Sequence, residues 1–88
     1  MDKVLPDRHE ALLKVFLEVY QAKQPVREAD ILERMKDLEW VKNFWDVVTL
    51  PNGDPHCYGL KEDLEYLYMR GYVYIEDDLS IIPTRRVV

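Results

Sequence analysis

The sequence predicts an α+β fold in which three or four helices precede a C-terminal two-stranded β-hairpin. Three observations carry that prediction. Leu60, Leu64 and Leu67 recur at helical spacing with Tyr68 beside them, which places one apolar stripe on a helix over residues 60–70. After Gly71 the period drops to two: Val73 and Ile75 point one way, and Tyr72, Tyr74 and Glu76 the other. Upstream, residues 7–23 and 28–38 each carry an apolar face at helical spacing. Residues 1–88 form one domain, near the lower end of what folds on a single core without staples.

Met1–Leu5 reads as a loose terminus or a short strand. Asp7 suits the N-cap of the first helix, and Glu10 three residues on completes a capping-box spacing. Leu12, Leu13, Phe16, Leu17 and Tyr20, widened by Val15 and Val19, make this helix central and buried on more than one side. Pro25 pushes Gln24 out of helical conformation, so 24–26 is a short extended connector. The second helix buries Ile31, Leu32, Met35 and Leu38, and leaves Glu33, Arg34, Lys36 and Asp37 to solvent.

Residues 39–59 are long for a plain connection. The favoured reading is a further helix over 40–48, with Val41, Phe44, Trp45 and Val48 on one side, followed by a loop or small hairpin. The alternative makes Val47–Leu50 a strand, turns at Pro51-Asn52-Gly53-Asp54-Pro55 and returns through His56–Tyr58. Beyond 60–70, Gly71 stops the helix in a left-handed conformation that its missing Cβ allows. The hairpin then covers 72–82, with Asp77-Asp78 as a tight turn and Pro83 as its end.

A leucine-striped helix running through Arg70-Gly71 into a hairpin resembles the winged-helix (winged helix-turn-helix) superfamily, in its small standalone prokaryotic, archaeal or viral form. The resemblance implies that 60–70 is a recognition-type helix, that 72–82 is the wing, and that Pro25-Val26 is the remnant of a strand pairing with the wing. It also implies a small DNA-binding transcriptional regulator, with an adaptor for other proteins as the alternative use of the same scaffold.

Charge weighs on that choice. The net charge is −5, and 1–24, 25–55 and 56–88 carry four positive charges each against four, seven and six negative. No segment is basic, which disfavours DNA because phosphate neutralisation supplies most non-specific affinity. Among the cations, Lys61, Arg70, Arg85 and Arg86 are the candidates for DNA, supported by Arg34, Lys36, Arg27 and Lys42. Lys61, Asp63, Glu65, Tyr66, Met69 and Arg70 are expected to face outward. The acidic helix and the wing tip Glu76-Asp77-Asp78 favour a protein partner instead. Trp40, Phe44, Trp45, Tyr66 and Tyr74 are the interface candidates, and a homodimer through 40–48 would bury the excess aromatic surface.

Chemistry is absent from the pattern. Asp54, His56 and Cys57 lie close together but lack a second ligand pair, so no metal is expected. Cys57 and His56 are adjacent and point apart on an extended chain, and Glu62, Asp63 and Glu65 read as an exposed helical face. Neither a phosphate loop nor a small-molecule site is evident. The expectation is a non-enzymatic protein without cofactor, membrane span or disulfide, and a cytoplasmic location.

Overall fold

The computed structural model describes residues 6–86, so the terminal stretch Met1–Leu5 lies outside the described residues. The elements are α1 (Asp7–Ala22), α2 (Glu28–Asp37), a 3₁₀ turn (Glu39–Asn43), β1 (Val47–Thr49), β2 (Pro55–Cys57), α3 (Leu60–Met69), β3 (Val73–Ile75) and β4 (Ile81–Pro83). The fold is α+β, with two small antiparallel sheets, β1–β2 and β3–β4.

The apolar faces read from the sequence meet in one core. Leu12, Val15 and Phe16 of α1 are fully buried, joined by Ile31 and Met35 of α2 and by Leu60, Leu64 and Leu67 of α3. Val26, Val73 and Ile81 close it from the hairpin side. Helix α1 starts differently from the expectation. Pro6, not Asp7, occupies the N-cap position with ψ near 154°, and its carbonyl accepts the Glu10 N–H at 3.0 Å. Proline serves there because its fixed φ suits the entry and its missing N–H is not needed. At the start of α2, the Arg27 N–H donates to the Asp30 carboxylate. Lys23 also bonds Asp30 and, first among the causes, holds that carboxyl below its usual range.

Helix α3 ends as its sequence dictates. Gly71 sits at φ +79°, the Tyr72 N–H reaches Leu67 O at 2.9 Å, and the Gly71 N–H reaches Tyr68 O at 3.0 Å. This pair of bonds satisfies the last carbonyls and turns the chain directly into β3. In the hairpin Val73 pairs with Pro83, Tyr74 with Ile82 and Ile75 with Ile81. Val26 adds an isolated bridge on the far side of β4, where the Ile81 N–H donates to its carbonyl at 2.8 Å.

The loop is one residue longer than a turn at Asp77-Asp78. The Glu76 N–H bonds Ser80 O and the Leu79 N–H bonds Glu76 O, so Asp77, Asp78 and Leu79 form a three-residue loop. Such loops put their third residue in the left-handed region. Here Leu79 takes it, at φ +70°. Asp78 accepts bonds from the Ser80 hydroxyl and N–H and pairs with Arg27, and these partners hold its carboxyl below the usual range.

The helix expected over 40–48 does not form. A 3₁₀ turn covers Glu39–Asn43, and the chain then enters β1, which pairs with β2 in the register Val47↔Cys57, Val48↔His56, Thr49↔Pro55. Val47, Val48 and Thr49 are β-branched and prefer the pleated conformation, and the loop at Asn52-Gly53 closes the hairpin with Gly53 at φ +91°.

Candidate interaction surface

The most heavily bonded polar group in the interior is one the sequence placed outside. Asp63 of α3 is buried, and its carboxylate accepts three bonds: Arg8 Nη2 at 2.8 Å, His9 Nε2 at 3.1 Å and Trp45 Nε1 at 2.7 Å. A buried carboxylate is tolerated only when its lone pairs are met, and these donors come from α1 and from the segment after the 3₁₀ turn. Asp63 therefore joins three separate parts of the chain. Its position carried a signal: it lies three residues after Leu60 and four before Leu67, on the apolar stripe itself. His9 similarly sits three residues before Leu12, on the buried side of α1.

His9 and Asp63 are both buried. His9 stacks on Tyr66, with ring centroids 3.9 Å apart, and its Nδ1 is buried without a hydrogen-bond partner among the described residues. Cys57 is buried, and desolvation, followed by the negative charge of Asp63, pushes its thiol up to about 11. That is the opposite of what a nucleophile needs. Its thiolate population at pH 8 falls about 100-fold relative to the ordinary value of 9.0, so alkylation by iodoacetamide is expected to be slower than in the unfolded chain by at least about that factor. A mass-spectrometric time course with and without denaturant checks this; equal rates would refute it. Among the described residues no cluster of three or more His, Cys, Asp or Glu is arranged to hold a metal ion, and no helix is long and apolar enough to cross a membrane.

The residues expected at an interface fall into two groups. Trp45 is a correction: it is only 5 % exposed, held in the core by its bond to Asp63. Trp40 and Phe44 are half-buried against each other and against the core, and Lys14 lies 5.5 Å from the Trp40 ring. Of the three aromatics in the 40–48 segment, Trp45 is therefore internal, while Trp40 and Phe44 remain half-buried. Tyr66 is half-buried, stacked on His9, with Arg70 4.8 Å from its ring. Tyr74 alone of the five is half exposed.

The cations also divide. Arg34 pairs with Glu18, Lys36 with Glu33, Lys42 with Glu39 and Arg27 with Asp78, so four of the candidates for DNA meet carboxylates of their own chain. Lys61, Arg70, Arg85 and Arg86 have no acidic partner among the described residues. Lys61 and Arg70 do not share a face, because nine helical residues separate them by about 13 Å and half a turn. Lys61 instead borders an open groove of about 330 Å³ floored by Leu64, Ile75 and Ile81. Arg85 and Arg86 follow Thr84, whose backbone N–H bonds Tyr72 O at 3.2 Å. Thr84 Oγ1 donates to Gly71 O and Tyr72 O at the end of α3, and Arg86 lies 4.6 Å from the Tyr72 ring.

Val48, Tyr58, Tyr68, Met69, Tyr74 and Leu79 are the exposed large apolar side chains among the described residues, and two of them are in ring contact. Tyr68 and Met69 at the end of α3 and Tyr74 on the outer face of β3 are exposed, Met69 to 81 %, and the Tyr68 and Tyr74 rings meet edge-on at 6.0 Å. Along the chain, exposed Arg70 directly follows Met69, exposed Arg85 and Arg86 follow β4, and exposed Glu76 and Asp77 follow β3. Comparison with protein-family models, curated proteins and solved structures found no match to this chain.

Proposed function

We propose that this chain is a non-enzymatic protein-interaction module on a winged-helix scaffold, docking its partner on the end of α3 and the outer face of the β3–β4 hairpin. Three helices, the last two separated by the β1–β2 hairpin, and then the β3–β4 hairpin with Val26 bridged to β4 support the winged-helix assignment. The observation that carries the function is the exposed Tyr68–Tyr74 pair with Met69 beside it. Two tyrosines supply rigid contact area at little conformational cost, and a bordering arginine supplies polar anchoring; this is the composition of an interface centre.

DNA binding is the second reading, and the unpaired Arg70, Arg85 and Arg86 favour it. A duplex lying along α3 and the wing would also cross Glu62, Glu65, Glu76 and Asp77, all exposed. Those carboxylates repel phosphate over most of the same contact. The protein reading therefore takes precedence. Fluorescence anisotropy against mixed-sequence duplex DNA is expected to show no binding even at low salt, whereas a protein retained from its native cells should be lost at least about tenfold on Tyr74→Ala and kept on Val48→Ala. Tight, steeply salt-dependent DNA binding that disappears with Arg70→Ala and Arg86→Ala would reverse the assignment.

A further inference from the structure

The hairpin is electrically polarised along its length. Its tip presents Glu76 and Asp77, exposed and without a cationic partner among the described residues, while the third tip acid, Asp78, is taken by Arg27. Beyond its stem lie Arg85 and Arg86, with Arg70 at the end of α3 just before the hairpin, all without acidic partners among the described residues. Every other arginine pairs with a carboxylate: Arg8 with Asp63, Arg27 with Asp78, Arg34 with Glu18. Unpaired charges of opposite sign thus stand at the two ends of one short apolar face, with Tyr74 and its cross-strand partner Ile82 between them.

We propose that the partner of this face is a second copy of the same chain, packed hairpin against hairpin in opposite directions about a two-fold axis at Tyr74. The inference rests on the reading of this face as a protein-binding surface and names its occupant. The distances are self-complementary. At about 3.4 Å per strand residue, Glu76 and Asp77 lie roughly 7–10 Å to one side of Tyr74, and Tyr72 and Gly71 lie about as far to the other. A two-fold axis through Tyr74 therefore sets the acidic tip of each copy over the arginine stem of its partner, twice, and stacks the two Tyr74 rings at the centre with Tyr68 flanking each. The contact is isologous and closes on itself, so it stops at a dimer. It also gives acidic partners to three arginines that have none among the described residues, supplied by the other copy.

Charge reversal tests this by sedimentation equilibrium from micromolar to millimolar protein. The wild type is expected to reach dimer mass, with association weakening as salt rises. R70E/R86E and E76R/D77R are each expected to sediment as monomers, with dimerisation weakened at least about tenfold, while an equimolar mixture of the two restores dimer mass. Only a pairing of tip with stem produces that rescue. Circular dichroism checks that both variants are folded; should either be unfolded, Tyr74→Arg, at an exposed position, decides the matter by sedimenting as a monomer. A wild type that stays monomeric throughout, variants that dimerise like the wild type, or a mixture that fails to rescue would each overturn the inference. A monomer whose Tyr74 surface still retains a different protein overturns the self-pairing alone; a monomer that retains none overturns the docking reading with it.

Discussion

Asp63→Ala is expected to destabilise the fold by about 3 kcal/mol, because it leaves the buried Trp45 and His9 donors without their acceptor. For a domain of this size that lowers the melting temperature by roughly 15 °C. The three bonds do not contribute equally. The Arg8 side chain is half exposed, so its part of the ion pair is screened, and Arg8→Ala alone should cost less than about 1 kcal/mol. His9 and Trp45 are the donors that water cannot replace. Asp63→Asn, which keeps an acceptor oxygen for Trp45, should fall between the wild type and the alanine variant. Thermal and urea unfolding measure all three. An Asp63→Ala protein as stable as the wild type would show that the interior tolerates the loss by letting water in.

The second large effect is expected in the core itself. Phe16 is the largest of the completely buried side chains, and its ring packs 5.9 Å from that of Tyr20. Phe16→Ala removes that ring and leaves a void that α2 and α3 cannot fully close, costing about 3–5 kcal/mol. Domains hold roughly 0.05–0.15 kcal/mol per residue, or about 4–13 kcal/mol for a chain of this length. The variant should therefore be marginal or unfolded at 37 °C. Cooperative unfolding at a near-normal midpoint would contradict the placement of Phe16 at the centre of the core.

The contrast between these two residues shows how far the sequence could be read. Phe16 was legible because periodicity is a local property: Leu12, Val15, Phe16 and Val19 announce a buried face whatever they pack against. The stop at Gly71 was legible for the same reason, since one residue without Cβ at the end of a stripe suits the left-handed cap. Asp63 and Trp45 were not. By its own chemistry each reads otherwise, the acid as exposed and the tryptophan as an interface residue, but their burial depends on finding each other across eighteen positions. Two polar residues on apolar stripes, His9 and Asp63, were the hint that a buried polar pair existed. In 39–59, helix and strand patterns overlap over a few residues, and the chain takes a short 3₁₀ turn leading into β1. The exposed surface was harder still. The meeting of Tyr74 with Tyr68 depends on how the chain turns at Gly71.

The measurement that tests the docking surface most directly is position-specific photo-crosslinking in living cells, with the reactive side chain at position 74 and, as a control, at position 48 on the other hairpin. The account predicts protein adducts from position 74, absent from position 48. Adducts to nucleic acid from position 74, or equal yields from the two positions, would contradict it.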